Sequence, residues 1–66
     1  PDDSDVHNNL AYALLTRGRE QDLPEARALA ERAVAKQPES STYLDTLARV
    51  YRRVAAGELK TVAKEA

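Results

Sequence analysis

Apolar residues recur at steps of three and four along the chain. Val6, Leu10, Ala13 and Leu14 form one such series, extended to Arg17. Leu23, Ala26, Leu29, Ala30, Ala33 and Val34 form a second, and Leu44, Leu47, Ala48, Tyr51, Val54 and Ala55 a third. Leu59, Val62, Ala63 and Ala66 begin a fourth. A period near 3.6 is that of amphipathic helices. No stretch alternates with period two for long enough to suggest a strand. The pattern predicts four helices, at about 4–17, 23–36, 41–56 and 58–66.

The breaks carry recognisable chemistry. Asp2, Asp3 and Asp5 place negative charge at the start of the first helix, where the backbone dipole favours it. Gly18 is suited to end that helix. Asp22 and Glu25 have the spacing of a capping box, with Pro24 in the first turn, where a missing N–H costs little. Pro38 stops the second helix, and Ser40 or Ser41 caps the third. Gly57 is read as the division between the third and fourth. Connections this short imply antiparallel neighbours.

Composition narrows the function. The 66 residues include 12 Ala, 8 Leu, 5 Val and 3 Tyr, with no Ile, Phe, Met, Trp or Cys. Without cysteine there are no disulfides, thiolate metal sites or thiol nucleophiles. One histidine cannot make a zinc site. A net charge of −1 argues against a generic nucleic-acid binder, although residues 49–64 hold five basic groups and one acid. No apolar run approaches the roughly 20 residues of a membrane span, so no membrane insertion is expected. Compartment is left open, cytoplasmic or periplasmic.

The chain also repeats itself. Leu10-Ala11 and Leu47-Ala48 are 37 residues apart, while Leu23 and Leu59, Ala26 and Val62, and Ala30 and Ala66 are each 36 apart. The first copy reads His7-x-x-Leu10-Ala11-x-x-Leu14, then Ala26-x-x-x-Ala30, Ala33 and Pro38. The second reads Leu44-x-x-Leu47-Ala48-x-x-Tyr51, then Val62-x-x-x-Ala66. This joint spacing resembles the tetratricopeptide repeat family over nearly the whole chain. There are departures: His7, Leu44 and Leu14 replace aromatics of the family pattern, Ala30 and Ala66 replace a bulky residue, and the hairpin loops are two or three residues longer. The resemblance implies an all-α fold in which antiparallel hairpins stack as a right-handed superhelix. This would be one solenoid domain over 1–66, with repeat one at about 4–38 and an incomplete repeat two at 41–66, a fragment of a larger scaffold.

In that family the first helix of each hairpin lines a concave groove. The resemblance therefore implies a partner-binding face of Asn8, Asn9, Tyr12, Thr42, Asp45, Arg49, Arg52 and Arg53, with Leu15 and Thr16 on the same arc. Tyr12 and Leu15 are apolar bodies on an otherwise polar face, and the arginines could pair with acids of a ligand. Asn9 matches an asparagine that bonds peptide backbone in many members. Asn8 stands where chaperone-binding members carry a lysine, which argues against a carboxylate clamp of that kind. Asp45 and Arg49 are also spaced for an ordinary helix-surface ion pair. His7 is read as a partly buried packing histidine.

No catalytic pair, phosphate loop or cofactor motif emerges, so no enzyme activity and no cofactor are expected. The leading expectation is a non-catalytic module that binds a protein or peptide partner. The alternative is self-assembly as a homodimer or helix-swapped oligomer through Leu59, Val62, Ala63 and Ala66, which no following helix covers. Nucleic-acid binding ranks third.

Overall fold

The computed structural model describes the backbone of residues 3–65 and the side chains of residues 3–60. The described residues are all-α, without a strand. Helix α1 spans Ser4–Arg17, a 3-10 turn covers Glu20–Asp22, α2 spans Leu23–Lys36 and α3 runs from Ser41 to Glu65. The first two helices have the predicted bounds. The predicted third and fourth are one helix, which passes through Gly57 without a break.

The two glycines explain why one connection turns and the other does not. Gly18 has φ +82°, the left-handed conformation of a helix C-cap, and its N–H bonds the carbonyl of Leu15. Residues 19–22 then supply a turn, and Pro24 opens the next helix. Gly57 is followed at once by Glu58, with neither loop residues nor a capping side chain. A lone glycine inside a helix costs about 1 kcal/mol relative to alanine, too little to end a helix that has no alternative.

Capping follows the expectations in part. Ser40 Oγ accepts the N–H of Tyr43 at 3.2 Å and caps α3. Asp22 makes no side-chain cap; its carboxylate instead takes both Nε and Nη2 of Arg17, at 2.9 and 2.7 Å. The residue read as a capping box therefore ties the end of α1 to the start of α2. Asp5 is likewise diverted, accepting the hydroxyl of Tyr43 on α3.

The core is a seam of small and medium side chains. Ala11, Leu14 and Leu15 of α1 meet Leu23, Ala26 and Ala30 of α2 and Val50 of α3, with Leu29, Leu47 and Val54 at the margin. Ala11, Ala26, Ala30 and Ala33 are fully covered. Alanine at these positions lets helix axes approach closely. The first halves of α1 and α3 also bury polar side chains: Ser4, Asn8, Tyr43 and Thr46 are all buried.

Helix α2 buries the face that apolar periodicity selected, whereas α1 and α3 are rotated from theirs. In α1, Val6, Leu10 and Ala13 are exposed, while Asn8 and Leu15 turn inward. In α3, Tyr43, Thr46 and Val50 are buried, whereas Leu44, Ala48, Tyr51 and Ala55 are open. A 14-residue helix is about 21 Å long and a 25-residue helix about 37 Å, so α3 outruns the hairpin beside it. The longest dimension of the molecule is 48 Å.

Candidate functional site

The exposed faces of α1 and α3 meet in an open cleft of about 410 Å3, lined by Tyr12, Leu15 and Thr16 from α1 and Arg49, Arg52 and Arg53 from α3. Tyr12 is 47% exposed and forms part of one wall. Leu15 is buried, so it lines the cleft from the core side rather than standing on its rim.

The three arginines differ. Arg49 Nε bonds the carboxylate of Asp45 at 2.9 Å, one helical turn earlier. That bond and the adjacent charge hold the guanidinium more firmly protonated. Arg52 and Arg53 are exposed and make no ion pair with an acid among the described residues. The cleft therefore presents two uncommitted cations beside one neutralised by its own helix.

Of the eight residues expected on the partner face, Tyr12, Arg49, Arg52 and Arg53 are brought together. Asn9, Thr42 and Asp45 are exposed but do not line the cleft. Asn8 lies elsewhere: it is only 6% exposed, and its side-chain oxygen meets no hydrogen-bond donor. Its spacing sets it on the same arc as Tyr12 and Leu15, but α1 is rotated so that Asn8 and Leu15 face inward. Among the self-association residues, Leu59 is 69% exposed, while the side chains of Val62, Ala63 and Ala66 lie outside the described residues.

Tyr43 is the residue that periodicity missed. It is buried and joins α3 to Asp5. A tyrosine three residues after a capping serine sits in the first turn, beside the start of α1 in an antiparallel stack; that placement was the available signal. His7 is partly buried, as expected, beside Asp3, Arg32, Ala35 and Lys36.

A second groove, of about 620 Å3, runs between α2 and α3 past Leu23, Arg27, Glu31, Val54 and Gly57. Beside it the hydroxyl of Tyr51 donates to Glu31 at 2.7 Å, and the Arg27 guanidinium lies 5.7 Å from the Tyr51 ring centre. The Tyr51 bond, with help from Arg27, lowers the Glu31 pKa; the same bond raises that of Tyr51.

Among the described residues no group of three His, Cys, Asp or Glu could hold a metal ion, and no helix is long and apolar enough to cross a membrane. No protein-family model and no solved structure matches this chain.

Proposed function

We propose that the chain is a non-catalytic interaction module of tetratricopeptide type that binds an extended, acidic segment of a partner protein in the cleft between α1 and α3. In this reading α1 and α2 make one hairpin and the first half of α3 begins the next, within a larger right-handed solenoid. Exposed apolar residues on two helices, Val6 and Leu10 on α1 and Leu44 on α3, support it, since stacked repeats need apolar faces for their neighbours.

The observation that carries the reading is the cleft itself. It sets the ring of Tyr12 beside Arg52 and Arg53, whose charges no acid among the described residues answers. An aromatic surface gives contact area with few torsions to freeze, and arginine forks suit carboxylates. Affinity would come from the apolar contact, while the arginines set the approach and register of acidic groups.

Fluorescence titration with a short peptide carrying glutamates on either side of a leucine tests this. The glutamate peptide is expected to bind, more weakly as salt rises, and its glutamine counterpart to bind less. Arg52→Gln with Arg53→Gln should weaken binding about three- to thirtyfold, since each exposed pair contributes up to about 1 kcal/mol. Equal binding of both peptides, or no loss in the double variant, would refute the reading. Stronger salt-sensitive binding to duplex DNA would move it to nucleic acid.

A further inference from the structure

The start of α1 and the end of α2 border an open cavity of about 630 Å3, lined by Asp3 and His7 on one side and by Arg32, Ala35 and Lys36 on the other. It shares no lining residue with the α1–α3 cleft. Arg32 and Lys36 are four residues apart on α2 and so share a face of the helix. Both are exposed, and neither makes an ion pair with an acid among the described residues, although Asp3 lines the same cavity. Asp3 makes no side-chain cap on α1. Two cations and one carboxylate therefore stand around a shared space without neutralising one another.

His7 adds a third polar group. The residue is partly buried, and its Nδ1 is buried without a hydrogen-bond partner. Buried polar atoms are nearly always paired, so an exception asks for a reason. An unpaired buried N–H is the rarer kind of exception, which places the proton of the neutral ring on Nε2 and makes that nitrogen a donor. We infer that this cavity binds a small, soluble phosphate monoester. The Arg32 fork and the Lys36 ammonium take phosphate oxygens, and His7 donates a third bond from Nε2. Three donors from two helices suit a tetrahedral oxyanion better than a carboxylate, which has only two oxygens.

The lining also selects what the phosphate is attached to. The cavity has the size of a small-ligand pocket, with room for more than the phosphate alone. Ala35 is the only apolar residue in its lining, so a greasy body gains little there. Asp3 is a free acceptor for a hydroxyl. A sugar phosphate has this combination of a dianion and hydroxyls. A phosphate carried on a peptide would bring a backbone, for which five residues at one end of a hairpin offer no extended track.

The chain has one histidine, so NMR of its ring reports on this cavity alone. At fixed pH, ribose 5-phosphate should shift the ring resonances saturably, with half-saturation on the order of 1 mM. Inorganic phosphate should do so more weakly, and ribose or sodium chloride at matched ionic strength not at all. Arg32→Gln and Lys36→Gln should each weaken binding about three- to fivefold. Both side chains are exposed, so the helical circular dichroism should not change. Asp3→Ala removes a like charge and a hydroxyl acceptor together. Inorganic phosphate should then bind about twofold tighter, while the preference for ribose 5-phosphate is lost. Arg52→Gln with Arg53→Gln, which strips the cleft of two cations, should leave the ribose 5-phosphate shift in place, so this inference and the proposed function are read separately. No saturable shift up to about 20 mM overturns the inference, as does an equal shift with chloride or full affinity in Arg32→Gln with Lys36→Gln. So does tighter binding of a phosphoserine peptide than of ribose 5-phosphate, or a preference for the sugar phosphate that survives Asp3→Ala.

Discussion

Helices α1 and α3 both begin with a comparable Leu-Ala stripe, yet they end in different positions. The Ala11 and Leu14 stripe of α1 is closed by α2, whereas of its counterpart on α3 Ala48 is exposed and Tyr51 is flanked only by Arg27 and Glu31 of α2. The difference does not lie in the stripe. It lies in the residues that follow: Gly18 with a turn, Pro24 and the Arg17–Asp22 pair in one case, and Gly57 running straight into Glu58 in the other. A helical hairpin is made by its connection, and an apolar face without one is left for something else to cover.

The largest test of this contrast substitutes one leucine on each stripe. Leu14→Ala empties a closed seam and should cost about 2–5 kcal/mol. In a domain this size each kcal/mol is about 4–8 °C of Tm, so this variant should be largely unfolded by calorimetry. Leu44→Ala, measured at dilution, should stay within about 0.5 kcal/mol of wild type. Equal losses would show that α3 is covered in the monomer.

A second test compares the glycines. Gly18→Ala forces a side chain into a left-handed conformation and should destabilise by roughly 1–2 kcal/mol. A Cβ at Gly57 would meet nothing within 4 Å, so Gly57→Ala should stabilise by about 0.5–1 kcal/mol through helix propensity. Thermal melts of opposite sign are expected. A loss at Gly57 would mean that this position must turn.

The smallest effect concerns Tyr51 and Glu31. Because the folded state lowers the Glu31 pKa, the associated stability is present above the carboxyl's unfolded value and fades as pH falls through the folded one. Tyr51, raised in the folded state, contributes below its unfolded value, and that contribution fades as pH rises through the folded one. Tyr51→Phe should move the Glu31 titration upward, followed by NMR of its side-chain carboxyl. Its stability deficit against wild type should shrink in acid. An unmoved titration would show that the hydroxyl does not hold Glu31.

Helix period, Gly18, Pro24, Pro38 and Ser40 made α1, α2 and the start of α3 legible in the sequence to the residue. The rotations of α1 and α3 were not. Apolar periodicity selects the greasiest face, but Asn8, Thr46 and Tyr43 are buried while Val6, Leu10 and Leu44 are exposed. Helices with apolar residues on more than one side have more than one candidate core, and only the neighbour decides between them. The same ambiguity divided the candidate site. Tyr12, Arg49, Arg52 and Arg53 lie far enough from the contested faces to converge, whereas Asn8 and Leu15 lie at the boundary and turn inward.

The hydrogen bond from Tyr43 to Asp5 spans 38 positions of the chain. It has a kinetic consequence. The α1–α2 hairpin closes through neighbours such as Arg17 and Asp22, only five apart, so its loop entropy is small. Docking α3 requires partners from opposite ends of the first two-thirds of the chain, and such separated contacts form slowly. The hairpin is therefore the natural nucleus of folding.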